Sequence, residues 1–303
     1  MKILITGSLK LNDEEKNQLE AMGLEITWQQ DEAAQTAEPE QYEAVICYEL
    51  FRNNPLERFA SLQYIQLTSA GTDHMPLAEI ERRGILLRNA RGVYSVPMAE
   101  FAIGGLLQLY KKARQFWQNQ QEHKWQRLRG VQELAGKQVC IVGAGSIGCA
   151  LAKRLQAFDC CVQGVDASAV QSPYFERIWP PEQLAAALAQ ADIVALSLPL
   201  LPETRQMFNA ERFAQMKPGA VFVNVARGAI VEQEALLAAL QSGRLQGAVL
   251  DVFAQEPLPA ESSLWDMPNV VVTPHNSFFA ESNRRTMFKV VSQNLREYLQ
   301  LRK

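Results

Sequence analysis

Val142-Gly-Ala-Gly-Ser-Ile-Gly148 (VGAGSIG) follows directly on the apolar run Gln138 to Val142 and opens the helix-forming stretch Ser146 to Gln156. Strand, glycine turn and helix in that order match a dinucleotide-binding unit. Gly143 allows the sharp reversal, Gly145 lets backbone approach a pyrophosphate, and Gly148 lets the helix pack closely on the sheet. The first helical residues, Ser146, Ile147 and Gly148, then offer unpaired N–H groups to the phosphates. Cys161 to Val165 reads as the next strand and ends in Asp166, about eighteen residues past Gly148 and near the ~20 at which an acid takes the ribose hydroxyls. The glycine pattern alone is weak. Strand, turn, helix, strand and terminal acid together outweigh an ordinary tight turn.

This unit begins in mid-chain, so a further domain precedes it. The 303 residues exceed the usual single-core limit, and 48% hydrophobic with 21% charged residues marks an ordinary globular protein. A net charge of -3 without a basic tract gives no electrostatic reason to expect nucleic acid or an anionic membrane. The N-terminal apolar segment is too short for a signal peptide and no run approaches a membrane span, so a cytoplasmic protein is expected. Cys47, Cys140, Cys149, Cys160 and Cys161 lack metal-type spacing and read as small buried hydrophobes, with no metal and no disulfide.

Ahead of the nucleotide unit, β-rich runs alternate with amphipathic stretches: Lys2 to Thr6, a helix opened by Asn12 and Asp13, then Leu24 to Trp28, Ala44 to Cys47, Tyr64 to Thr68, a helix from Pro76 to Arg83, and Ile85 to Arg88. Alternation of this kind predicts an α/β fold with a parallel sheet. The Gln/Glu/Ala-rich Gln29 to Gln41 reads as surface. From Pro97 a long apolar helix, running through MAEFAIGGLLQLYKKARQFW, crosses into the second domain, and Gly104-Gly105 within it marks close packing. The second domain continues with strands Ile193 to Leu198, Ala220 to Val225, Gly247 to Val252 and Val270 to Thr273, six in all. A last helix, Phe279 to Leu301, crosses back. The boundaries expected are 1–97 plus 276–303 for the first domain and 98–275 for the second, both doubly wound.

Ligands of open parallel sheets sit beyond the carboxyl ends of the strands. Arg227, Glu256 and His275 each follow such an end. An imidazole titrates near neutrality and can exchange a proton with a carbonyl oxygen, a neighbouring carboxylate orients it, and a guanidinium can fork onto a substrate carboxylate. Singly, Arg227 reads equally well as a salt-bridging residue, Glu256 as a solvated acid and His275 as a loop histidine. Together, at strand ends of a cofactor domain, they read as a site for hydride transfer to a ketone.

From SAGTDHM (69–75) through VGAGSIG, SLPLLPETR (197–205), MKPGAVFVNVARGAIVEQEALLAAL (216–240) and LDVFAQEPLP (250–259) to TPH (273–275), the chain resembles the D-isomer-specific 2-hydroxyacid dehydrogenase family. The resemblance implies a flavodoxin-like substrate domain and a Rossmann cofactor domain. It also implies that NAD(P)H reduces small 2-keto acids to D-2-hydroxy acids, as in the glyoxylate/hydroxypyruvate reductase-like branch. In the family's pattern Arg227 binds substrate, Glu256 pairs with the catalytic acid/base His275, Asp251 binds the nicotinamide carboxamide with the backbone of Val225 and Ala226, and Thr204 contacts the cofactor. Ala70 and Gly71 match the loop whose amides hold the substrate carboxylate.

His74, beside that loop, is the one rival histidine, and Asp73 reads as a turn residue. Tyr48 to Arg52 and Tyr94 are the candidates for side-chain specificity. Asp159 replaces a common glycine, which concerns a turn. Glu256 in place of glutamine argues against the formate dehydrogenase branch, and the chain length argues against an added regulatory domain. Asp166, with no arginine in the ASAVQS that follows it, favours NAD over NADP. The resemblance also implies a homodimer, with Pro97 to Leu109 as a contact surface or, equally, as a buried helix. Two other readings remain: a nucleotide-sensing binding protein of the corepressor kind, and a phosphoglycerate dehydrogenase-like activity.

Overall fold

Five short apolar runs make the first sheet: β1 (Lys2–Thr6), β2 (Glu25–Gln29), β3 (Ala44–Cys47), β4 (Tyr64–Leu67) and β5 (Leu86–Arg88). All pairs are parallel, in the order β2-β1-β3-β4-β5, which is the flavodoxin-like winding. β3 and β4 are buried along their whole length, as central strands covered on both faces must be. The first helix, Asp13–Glu20, starts where Asn12 and Glu15 form a reciprocal capping box. The last helix, Asn283–Leu301, packs Met287, Val291, Leu295 and Tyr298 into the same core as Ile3, Ile5 and Ile46. A stripe of that spacing is what one helix face presents to a core.

The second sheet has seven parallel strands: β6 (Gln138–Val142), β7 (Cys161–Val165), β8 (Arg177–Trp179), β9 (Ile193–Leu196), β10 (Ala220–Asn224), β11 (Leu245–Leu250) and β12 (Val270–Val272). Their order is β12-β11-β10-β9-β6-β7-β8, the Rossmann order extended by one strand, with the chain reversing direction between β6 and β9. Phe208, Phe213 and Phe222 cluster under the sheet at centroid distances of 5.3–6.0 Å, each pair contributing about 0.5–1.5 kcal/mol beyond its area. The computed structural model describes residues 1–168 and 170–302. The chain divides into two units, Met1–Tyr94 with Ala280–Lys303, and Ser95–Phe279.

Five readings of the sequence are corrected. β8 escapes a six-strand count because it is a three-residue edge strand carrying Arg177, and charge at an edge hides the strand pattern. The helix Leu184–Gln190 is also additional. The long helix from Pro97 is two helices, Ser95–Tyr110 and Ala113–Gln121. Lys112 between them has φ +54°, the Tyr110 carbonyl accepts Gln132 N–H at 2.9 Å, and Lys112 Nζ bonds the Arg129 carbonyl at 2.7 Å. These tertiary bonds end the helix where no glycine or proline does. Of the glycine pair within it, only Gly105 is closely packed, since a Cβ there would lie 2.3 Å from Val249 Cγ1 while Gly104 faces open space. Most of the helix is core, burying Met98, Ala99, Ala102, Ile103 and Leu106. Finally, Gln29 to Gln41 is more than surface, because Thr36 and Pro39 are buried.

Candidate active site

The glycine turn after β6 divides its three tasks as the chemistry requires. Gly143 has φ +98°, a left-handed conformation that favours glycine, and a Cβ there would lie 2.7 Å from Leu198 N. A Cβ on Gly148 would lie 2.2 Å from the Gly143 carbonyl oxygen, so the Ser146–Gln156 helix abuts the turn. Gly145 has nothing within 4 Å of its Cβ position. Its side is open for a ligand to approach the backbone. The Cys149 amide makes the first helical bond, to the Gly145 carbonyl, so the amides of Ser146, Ile147 and Gly148 have no partner within the helix. Ser197, at the end of β9, donates to the Gly143 carbonyl at 2.7 Å and ties the turn to the sheet.

Asp166 stands at the end of β7. One carboxylate oxygen accepts the Ala144 amide of the glycine turn at 2.8 Å, and the other accepts the amide and hydroxyl of Ser168 at 2.8 and 2.6 Å. The acid is thus fixed beside the turn. Its position, the open side of Gly145 and the unpaired helix amides fit the ribose and pyrophosphate of a dinucleotide. Thr204 closes the loop after β9, its hydroxyl accepting Leu201 N–H and donating to the Pro199 carbonyl, both at 2.8 Å. Val225 and Ala226 are buried at the end of β10, where Asn224 accepts the Ala226 amide.

His275 and Glu256 meet directly, Nδ1 to Oε2 at 2.8 Å. A carboxylate only accepts, so Nδ1 carries the proton and Nε2 is left for other chemistry. The second Glu256 oxygen accepts Phe253 N–H at 2.9 Å, which fixes the carboxylate in turn. Arg227 follows β10 with its Nη1 on the Ala226 carbonyl at 2.9 Å. The loop bearing Arg227 is pressed on the loop bearing Glu256, because a Cβ on Gly228 would lie 1.9 Å from the Phe253 carbonyl.

Asp251 is fully enclosed. Its carboxylate accepts the Thr273 hydroxyl at 2.7 Å, Asn276 N–H at 2.8 Å and Ser277 N–H at 3.0 Å, while its carbonyl accepts His275 N–H at 2.8 Å. His275 is held at φ +50°, a conformation that side chains adopt only when the surroundings impose it. Asp251 imposes it. Three bonds leave the carboxylate about one acceptor position for a further donor. Sequence reading named Asp251 only as the acid for the nicotinamide carboxamide, without its place as this hub, and did not single out Gly228, Ser197 or Ser168. The glycine's signal is its place directly after a strand-end arginine.

In the first unit, the Ala70 carbonyl accepts Asn89 Nδ2 at 2.6 Å and the Gly71 carbonyl accepts the Ser69 hydroxyl at 2.8 Å. Both bonds use carbonyls and leave the amides. His74 Nε2 sits 2.9 Å from the Tyr48 carbonyl, so that nitrogen is a donor already in use. Tyr94 donates to the Thr68 carbonyl at 2.5 Å, and burial, with the neighbouring Tyr48, pushes its hydroxyl up to about 12. Burial likewise raises Cys140 to about 12 and Cys160 to about 11. Among the described residues no cluster could hold a metal ion, and no helix is long and apolar enough to cross a membrane.

Comparison with known proteins follows the same lines. Glyoxylate reductase of Thermofilum pendens is 35% identical over 250 residues, covering 78% of this chain and 71% of that protein. D-3-phosphoglycerate dehydrogenase of Rattus norvegicus is 37% identical over 224 residues, 71% of this chain but 40% of that protein. The crystal structure of a D-isomer specific 2-hydroxyacid dehydrogenase from Xanthobacter autotrophicus Py2, in complex with NADPH and MES, superposes with a TM-score of 0.80 at 30% identity, covering 97% of this chain and 93% of that one. Residues 103–277, which carry the glycine turn, Asp166, Arg227, Asp251, Glu256 and His275, match the model of the D-isomer specific 2-hydroxyacid dehydrogenase NAD-binding domain, and the chain belongs to that family.

Proposed function

We propose that the protein reduces small 2-keto acids to D-2-hydroxy acids, glyoxylate and hydroxypyruvate foremost. The observation that carries this reading is the His275–Glu256 pair at 2.8 Å, set on neighbouring strand ends with Arg227. NAD(P)H, when bound, supplies the hydride. Protonated His275, with Nδ1 held by Glu256, gives its Nε2 proton to the carbonyl oxygen, and takes it back in the reverse direction. Glu256 favours the charged imidazole and fixes its plane. In the second unit Arg227 is the residue for a forked contact to the substrate carboxylate; in the first, the Ala70 and Gly71 amides are the donors that the family pattern assigns to a substrate carboxylate.

Gly143, Gly145, Ser146, Ile147 and Gly148 hold the pyrophosphate, and Asp166 holds the adenosine ribose. Thr204, Val225, Ala226 and the remaining acceptor position of Asp251 serve the nicotinamide end. Because Asp166 is a fixed negative charge, it disfavours a 2'-phosphate, and NADH is the preferred reductant although the similar Xanthobacter protein carries NADPH. The protein works as a homodimer.

The test is NADH oxidation against glyoxylate, hydroxypyruvate, pyruvate, phenylpyruvate and 2-ketoisocaproate, with NADPH alongside. Turnover of one or more is expected, lowered about 10²–10⁴-fold in His275→Ala, the range that general acid catalysis contributes. No turnover of any of them, with NADH bound, overturns the reading in favour of a nucleotide-sensing protein. A higher kcat/KM with NADPH overturns the assignment of Asp166.

A further inference from the structure

Glu32 lies in the Gln/Glu/Ala-rich stretch after β2, and its carboxylate reaches back to the loop after β3. One oxygen accepts Tyr48 N–H at 2.7 Å and the other accepts Glu49 N–H at 2.6 Å. The Thr6 hydroxyl, at the end of β1, contacts the same group. Two successive amides on one carboxylate fix both the height and the twist of the loop they belong to, with charge-assisted bonds of the stronger kind.

The strap extends beyond Glu32. Thr36 N–H donates to the fully buried Asn54 side chain at 2.8 Å, Asn54 Nδ2 donates to the Ala34 carbonyl at 3.0 Å, and Gln35 Nε2 donates to the Asn53 carbonyl at 2.8 Å. On its other side the Tyr48–Arg52 segment, which runs into the short helix Leu50–Asn53, is held by His74, with Nε2 on the Tyr48 carbonyl and the two rings 5.2 Å apart. Between these holds lies a cavity of 240 Å³ lined by Glu49, Phe51, Arg52, His74 and Met75. His74 and Met75 belong to the same loop as Ala70 and Gly71.

We infer that Glu32 is a positioning residue that sets the preference among 2-keto acid side chains: by clamping the amides of Tyr48 and Glu49 it fixes the wall of this cavity, which receives the group attached to the keto carbon. The inference rests on the reading that the Ala70 and Gly71 amides hold the substrate carboxylate. The keto carbon of such a substrate is bonded directly to that carboxylate, so it is held close to the loop that continues into His74 and Met75. The substituent on that carbon then meets the Tyr48–Arg52 wall.

Glu32→Gln tests it with little change of volume. A carboxamide has one acceptor oxygen, and its NH2 faces an amide N–H, so one of the paired bonds is lost. For hydroxypyruvate and phenylpyruvate, kcat/KM is expected to fall about ten-fold or more, mainly through KM. Glyoxylate has only hydrogen on its keto carbon, so its kcat/KM should stay within about three-fold. The KM for NADH should not move, and hydrogen exchange at the Tyr48 and Glu49 amides should quicken. Thr6→Val, which removes the hydroxyl and with it the contacts to Glu32, Ser8 and the Ile46 carbonyl while leaving both amides on Glu32, should shift the preference the same way by a smaller factor, and it serves if Glu32→Gln folds poorly. An equal fall for all substrates, or an unchanged ratio between them, overturns the inference alone. A wild-type protein that turns over no 2-keto acid overturns the functional reading and this inference with it.

Discussion

Asp251 illustrates how a single buried acid can hold a whole segment, His275 included, in one conformation. Its carboxylate holds three donors of the segment 273–277, and its carbonyl holds the amide of His275 itself. Replacement by Asn leaves one acceptor oxygen and turns an NH2 towards a backbone N–H. Asp251→Asn is expected to lower kcat about 10²-fold, because a shift of about 1 Å in a catalytic group suffices for that. The KM for NADH should rise as well, by a smaller factor, because the acceptor proposed for the nicotinamide end is lost with the second oxygen. Steady-state kinetics in both substrates check this, and a kcat within about three-fold of wild type would remove Asp251 from the role. The glycines separate by the same reasoning. Gly145→Ala meets open space, so its Tm should stay within about 2 °C while the Kd for NADH rises about ten-fold, equivalent to about 1.4 kcal/mol. Gly148→Ala meets the Gly143 carbonyl and should lose about 1–3 kcal/mol of stability, some 2–10 °C in Tm, by overpacking. Thermal unfolding and fluorescence titration of the two variants distinguish a ligand-facing glycine from a packing one.

At the scale of elements, Asp192 joins the starts of three strands. It precedes β9, accepts the Gln138 amide of β6 at 2.9 Å and pairs with Lys217, just before β10, at 2.6 Å. Burial alone would raise its carboxyl, but the Lys217 and Gln138 hydrogen bonds and the charges of Lys217 and Lys137 outweigh that and hold it below the usual range. A carboxyl lowered by folding contributes stability above its unfolded value, and that contribution is lost as pH falls through the folded value. Asp192→Asn should therefore lower Tm at pH 7 by an amount corresponding to about 1–2 kcal/mol, and the gap to wild type should close below about pH 4. A gap that persists in acid would mean the loss is one of packing.

Such long-range ties are also what sequence reading misses. The five strands of the first sheet and the central strands of the second were legible because apolar runs bounded by turn residues record burial on both faces. Asp159 in place of glycine was legible as a turn and adopts φ +58°. The edge strand β8 and the break at Lys112 were not, since one is specified by pairing and the other by bonds to residues about twenty positions away. The site divides in the same way. Arg227, Glu256 and His275 stood at strand ends, whereas the enclosure of Asp251 depends on how the segment 273–277 folds over it.

For the whole molecule, the Ala113–Gln121 helix poses a problem of stability. None of its residues is buried, and Phe116 and Trp117 are 43% and 64% exposed, with Trp125 wholly exposed just beyond. A helix this short is not stable in water on its own propensity and needs a surface to pack on. A groove lined by Leu109, Trp117, Trp265 and Val270 to Val272 lies beside it. Exposed aromatic side chains beside such a groove are where association is expected, and a two-fold interface would set the helix of each copy against the groove of the other. Burying one indole contributes roughly 4–6 kcal/mol before ordering costs, so a pair of copies with several such residues has ample driving force. Sedimentation at about 10 μM should give twice the 34.0 kDa chain mass. Trp117→Glu combined with Trp125→Glu should halve that mass and abolish the dependence of Tm on protein concentration that the associating wild type shows. A wild-type mass of one chain would place the dimer contact out of consideration. An unchanged mass in the double variant would move the contact away from this helix, towards the face of Ser95–Tyr110 on which Gly104 lies open.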